Sequence, residues 1–285
     1  MVAGEGSHNG AIGAIERARR DGAPPAVWLF LGLVATSVVG LLAAPWGLEA
    51  KLYAVVHGLC AQRPSHSFVL GGHRLPFDAR MTGIYGGFLV TTAYLLARGT
   101  GQRWRAAQLP PRSVALALGL FVALMGLDGV NSTLQDFGLP YAYEPDNRLR
   151  LATGLLLGAG LGVLIPFLLN NTLWAQPVEA PILGGWRELG AVLALEGLFF
   201  LIVVSGWGAF YLPVALGLVL SGVVVACTLA LALLVLLLGR EGRYTRPADV
   251  AGLASAALLL GYAALALIAG GRFYLEHVVG MSPMG

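Results

Sequence analysis

The sequence predicts an all-α protein: a polytopic transmembrane helix bundle of about seven spans, with a surface amphipathic helix after the first span. Three observations predict it. Of 285 residues, 57% are hydrophobic and 12% charged, and the mean hydropathy is +0.75, so a water-soluble domain of this size would lack polar surface to cover itself. The apolar residues fall in blocks of roughly 18 to 26, each long enough for the ~20 residues a helix needs to cross the hydrocarbon core. The 40 glycines suit helices that pack closely within a bilayer.

Residues 1–26 form a polar tail in which Ala11 to Arg20 reads as a short interfacial helix ahead of Pro24 and Pro25. The first span, Val27 to Trp46, is too long for the core of a signal peptide and reads as a retained anchor. Between Leu48 and Cys60, residues Leu48, Leu52, Val55, Val56 and Leu59 share one helical face, with Glu49, Tyr53, His57 and Cys60 mostly off it. That pattern predicts a helix lying along the membrane surface. A polar loop, Ala61 to Asp78, leads into span two, Ala79 to Ala97. Span three, Val114 to Leu134, and span four, Leu149 to Leu169, flank the acidic loop Asp136 to Arg148. Span five, Arg187 to Val204, joins span six, Pro213 to Leu238, through an uncharged connection, and span seven runs from Val250 to Gly270. The chain thus divides into the tail, a four-span module over 27–170 that includes the surface helix 48–60, and three further spans with a short tail over 171–285.

An internal N-terminus places 11 of the 18 basic residues inside, among them Arg17, Arg19, Arg20, Arg98, Arg103, Arg105, Arg112, Arg187, Arg240, Arg243 and Arg246. The positive-inside rule then predicts a cytoplasmic N-terminus in a multi-pass protein of the bacterial inner membrane. A basic complement in which 17 of 18 residues are Arg suits a GC-rich bacterium. Because the arginines stand at span ends, the net charge of +3 does not point to nucleic acid. Two cysteines, Cys60 and Cys227, build neither a disulfide framework nor a four-cysteine metal site. No phosphate-binding loop, zincin motif, nucleophile elbow or haem-attachment motif occurs. The single lysine, Lys51, lies in the surface helix, which excludes a retinal Schiff base in the last span.

With seven spans, the loops between spans one and two and between three and four share a face with the C-terminal tail. The polar residues collect there. Asp128, Asn131 and Gln135 form a stripe at i, i+3 and i+7 near the end of span three, with Arg80, Arg148 and Arg150 as candidate partners and Arg63 as a further candidate ligand-binding residue. An aspartate at that depth needs a partner or water, and two readings fit: an Asp-Arg clamp between spans, or a ligand or ion site. His57, Cys60, His66 and His73 are ligand types for a transition metal such as Zn²⁺ or Cu⁺, although their spacing matches no standard signature and interfacial hydrogen bonding to loop backbone is the favoured reading. Glu196, in the middle of span five, is an intramembrane acid, either a proton relay or a neutral group hydrogen-bonded to a neighbouring helix. Gly154, Gly158 and Gly162, and Gly83 with Gly87, repeat at i+4 and read as packing faces.

The run Cys60-Ala-Gln-Arg63-Pro-Ser-His66-Ser67, then Gly71-Gly-His73-Arg-Leu75-Pro76 and Ala79-Arg80-Met-Thr82-Gly83-Ile-Tyr85-Gly-Gly87, resembles the prokaryotic membrane family catalogued as domain of unknown function 2085. So do Asp128-Gly129 followed by Gln135, and Asn147-Arg148-Leu-Arg150-Leu-Ala-Thr153-Gly154. The resemblance covers about residues 50–170 and implies that the first four spans are the family's module. Members often carry Cys-Ala-Arg-Cys where this chain has Asp78-Ala79-Arg80-Met81, so any metal or redox chemistry of those cysteines would be lost or altered here.

These residues lead to a membrane protein with a polar site on its outer face for a metal ion, an anion or a lipid headgroup. The alternatives are an accessory or structural subunit that docks partner membrane subunits, a membrane-embedded enzyme on a lipid-linked substrate with Asp128 or His66 as acid or base, and transport through the bundle.

Overall fold

The computed structural model describes residues 24–98, 103–278 and 280. The tail helix expected over Ala11 to Arg20, together with Arg17, Arg19 and Arg20, lies outside the described residues. Helix α1 (Pro25–Ala43) starts on a proline, where the missing N–H is no loss, and stops before Pro45. Then follow α2 (Leu48–Val56), a hairpin of β1 (Val69–Leu70) and β2 (His73–Arg74), α3 (Ala79–Ala97), β3 (Ala106–Gln108), α4 (Arg112–Asp136), α5 (Asn147–Leu173), β4 (Val178–Pro181), α6 (Trp186–Val204), α7 (Tyr211–Leu237) and α8 (Pro247–Val278). The protein is an all-helical membrane protein with two minor strand pairs.

Helices α1, α4, α5, α7 with its preceding turn, and α8 are the five candidate spans by length and hydropathy. Helices α3 and α6, 19 residues each, fall short for identifiable reasons. Three charges, Arg187, Glu188 and Glu196, interrupt α6, while Arg80, three threonines and three glycines dilute the apolar residues of α3.

Several boundaries differ from expectation by a few residues, and two of the shifts have identifiable causes. The surface helix ends at Val56 rather than Cys60, because the chain bends at Gly58 to meet α8: a Cβ there would lie 2.7 Å from the backbone N of Ala269. The face it buries carries Lys51, Leu52 and Val56, and Lys51 Nζ reaches back to the carbonyl of Leu42 at 2.7 Å. Helix α8 continues to Val278, well past Gly270, because Arg272 and Glu276 pair one turn apart and bind the loop after α2.

The most extensive pairing joins α3 to α5. Gly83 meets Gly154, Gly87 meets Gly158, and Thr91 meets Gly162. This constant register makes the helices parallel, with contacts repeating at one turn plus a fraction. The missing side chains let the backbones touch: a Cβ on Gly158 would stand 2.5 Å from the carbonyl oxygen of Ile84 and 2.7 Å from Gly87 Cα. Helix α4 leans on α5, α6 packs across α3 and α5, and α7 packs on α8 and α3, while α1 buries no residue and rests chiefly on α8.

The connections gather at two ends. At one, here the motif end, Arg63 pairs with Asp136, Asn147 donates to the Ser65 carbonyl, Gly71 N–H donates to Gly206 O, and Arg272 donates to the carbonyls of His57, Cys60 and Ala61. At the other, β3 pairs with β4 in parallel, Trp174 bridges Tyr244, and Arg105 lies over Trp174.

Gly158→Ala should lower stability by about 1–3 kcal/mol through overpacking. Gly160→Ala, with open space around it, should leave the melting temperature in detergent unchanged, so equal losses in both variants would contradict this packing.

Candidate functional site

At the motif end Arg63, His66, Asp78, Arg80, Ser132, Thr133, Asp136 and Arg150 line a cavity of about 180 Å³. The parallel register of α3 and α5 explains why the arginines meet, since Arg80 opens one helix and Arg150 the other at the same end. Asp78 caps α3, accepting from Met81 N–H at 2.9 Å, and Asp146 caps α5 through the N–H groups of Arg148 and Leu149. Both helices therefore direct their positive dipole ends toward this region.

Asp128, 2% exposed, does not line the cavity but binds Arg80, which does. Arg80 Nη2 donates to Asp128 Oδ2 at 2.6 Å, to its backbone carbonyl at 3.3 Å and to Ser132 Oγ at 3.0 Å. Tyr143 OH donates to Oδ1 at 2.9 Å, and Thr153 Oγ1 lies 3.5 Å from Oδ2. The aspartate thus ties α4 to α3, to α5 and to the loop between α4 and α5. Arg63 donates to Asp136 Oδ2 at 2.8 Å. Arg150 differs from both: it is 6% exposed, and among the described residues its one side-chain partner is Asn147 Oδ1, at 3.1 Å. The Nε atoms of Arg63 and Arg80 are buried without a partner.

The sequence-derived candidates divide. Arg63, Arg80, Arg150, His66 and Asp128 come together. Asn131 and Gln135 do not line the cavity. Asn131 braces the loop that carries Tyr143, donating to its carbonyl at 2.8 Å and accepting from Ala142 N–H at 2.8 Å, while Gln135 donates to Glu144. Arg148 is exposed, with no side-chain partner among the described residues. The stripe that faces the site is Asp128, Ser132 and Asp136, at i, i+4 and i+8. Sequence reasoning missed Asp136 as a site residue, because i, i+4, i+8 drifts further from one helical face than i, i+3, i+7 does.

His57, Cys60, His66 and His73 are dispersed. His57 contacts Gln62 at 2.8 Å and Glu276 at 3.0 Å and stacks on Phe273. His73 sits by Glu49 and Tyr211. Cys60, 5% exposed, accepts from the N–H groups of Gln62 and Asp78 at 3.3 Å each. Among the described residues no three His, Cys, Asp or Glu side chains are grouped to hold a metal ion. Burial, reinforced by the Asp78 carboxylate, pushes the Cys60 thiol up to about 12, the opposite of what a thiolate ligand or nucleophile needs.

Burial, then the charges of Arg150 and Arg63, lower the pKa of His66 below its ordinary value. Its folded pKa lies under its unfolded one, so the unfolded chain takes up the proton first and acid favours unfolding. Stability should therefore fall as pH drops through the unfolded histidine range near ~6.5, and His66→Gln should flatten that part of the melting-temperature profile. Maleimide should label Cys60, read by peptide mapping, only once denaturant has opened the fold; rapid labelling of the folded protein would contradict the buried, protonated thiol.

No curated protein and no solved structure matches the chain. The cavity residues Arg63, His66, Asp78, Arg80, Asp136 and Arg150 all fall within one matched segment: residues 60–164, from Cys60 through most of α5, are similar to the family model described as "Predicted membrane protein (DUF2085)".

Proposed function

We propose that the protein crosses the bacterial inner membrane seven times and that its motif-end cavity holds a small phosphate-type anion, free or as a lipid headgroup. Arg150 carries the reading: a buried guanidinium with no carboxylate within 4.0 Å among the described residues, beside a cavity that Arg63 and Arg80 also line. A cation in low dielectric calls for a counter-charge. The carboxylates at hand are engaged elsewhere, Asp128 with Arg80, Asp136 with Arg63, and Asp78 with the α3 N-terminus. Two helix N-termini add to the attraction for an anion, and a guanidinium presents donors in the planar arrangement that phosphate oxygens accept.

The seven crossings are supported by how the helices run. Connections 44–78, 137–146 and 205–210 meet at the motif end, and 103–111, 174–185 and 238–246 at the other. Helices α3 and α6 therefore join the same two ends as the longer helices, and 19 residues extend about 28 Å, close to the hydrocarbon thickness of about 30 Å. The basic-residue bias puts the cavity on the outer side.

Titration of the detergent-purified chain with inorganic phosphate, and native mass spectrometry after exchange into phosphatidylglycerol, separate the two sources of the anion. Arg150→Gln should weaken whichever binds by about tenfold or more, the loss expected for a hydrogen bond to a charged group, whereas Arg148→Gln should not. Absence of both ligands would leave the Asp128 network as a helix lock and favour the structural-subunit reading.

A further inference from the structure

Glu196 lies on α6 outside the matched family segment. It is 2% exposed. Its Oε1 accepts from Thr91 Oγ1 of α3 at 3.2 Å, while Oε2 is buried with no partner among the described residues. The carboxyl occupies a notch that exists because residue 87 is glycine: a Cβ there would lie 3.0 Å from Oε1 and 3.0 Å from Gly158 Cα. The acid therefore sits where α6 meets the α3–α5 pair.

The charged groups on those three helices stand at their ends. On α3 these are Arg80 and Arg98, on α5 Arg148 and Arg150, and on α6 Arg187 and Glu188. Arg98 lies seven residues from Thr91 and Arg80 eleven, about 10 Å and about 16 Å along the axis at 1.5 Å per residue. Glu188, eight residues from Glu196 on the same helix, lies about 12 Å away by the same rise. Arg98 is moreover bound to Glu188 and to the Ile182 carbonyl. Among the described residues no cation is placed to neutralise a carboxylate at Glu196, and one hydroxyl cannot replace its hydration shell.

We propose that Glu196 is a proton-binding site: the carboxyl is protonated while α6 is seated against α3 and α5, and release of its proton to water unseats α6. In the seated state the carbonyl oxygen Oε1 accepts from Thr91 and the O–H is carried on Oε2. In the released state the carboxylate must recover solvent, which requires α6 to move away from the glycine notch. Thr91 is a positioning residue that fixes which oxygen keeps the proton.

Infrared spectra of the full chain in phosphatidylcholine vesicles test this. At neutral pH wild type should show the carbonyl stretch of a protonated carboxylic acid, which shifts in D₂O and disappears reversibly as the pH is raised. Glu196→Gln should abolish the band, and Asp128→Asn should leave it. Thr91→Val, which removes the donor to Oε1, should shift the band to higher frequency, and this reads the same site if Glu196→Gln fails to fold. A wild-type spectrum without the band, or a band that survives Glu196→Gln, overturns the proposal.

Discussion

The backbone contact between α3 and α5 is the constraint on which the rest of the structure depends. In a bilayer the lipid tails are as apolar as leucine, so helices gain little from burying greasy side chains against each other and associate where their surfaces come close enough for dispersion forces. Gly83, Gly87, Gly154 and Gly158 supply that closeness. A fixed parallel register then places the first turns of both helices side by side, which is why Arg80 and Arg150 share one small cavity. The same glycine at position 87 opens the notch for Glu196, so one packing surface defines both polar sites.

At the junction of α3, α4 and α5 the buried Asp128 is answered locally. Asp128 is answered three times, by Arg80, Tyr143 and Thr153, and this makes the junction of α3, α4 and α5 rigid. The loop below it is built with equal economy of partners: Tyr53 OH donates to the Arg74 and Leu75 carbonyls, Gln62 donates to Tyr53 and Pro76, and Cys60 accepts two backbone N–H groups. Gly71, at φ +59, turns the β1–β2 hairpin and approaches Gly208 so closely that no side chain fits between them. These contacts form the floor on which Arg63 and His66 stand.

Much of the fold was legible because composition and block length reflect the solvent directly. The helix expected over Ala79 to Ala97 has those ends in the structure, since Asp78 is a capping residue and Arg98 a polar stop. The glycine faces were legible as packing surfaces, though not as a parallel pair, because pairing register is a tertiary property. At the site, Arg63, Arg80, Asp128, His66 and Arg150 were visible as isolated polar residues near span ends. The partition among them was not. Asn131 braces only the loop, whereas Asp128 also reaches Arg80 of α3 and Thr153 of α5, and Cys60 and His57 became structural because a distant helix, α8, ends beside them through Arg272 and Glu276. Long-range contacts of this kind leave no local periodicity to read.

Helix α1 rests chiefly on α8, with Ala26 close to Gly252, so its principal neighbour is made long after it. Until α8 is translated, α1 therefore lacks its principal helix partner and has the short α2, through Lys51, beside its end. Its composition tolerates that wait: a span with no buried residue loses nothing while unpartnered. The arrangement also gives assembly a direction. The α3–α5 pair closes early, between segments translated close together, and α8 arrives afterward to fasten both the loop at Cys60 and the helix that entered the membrane before it.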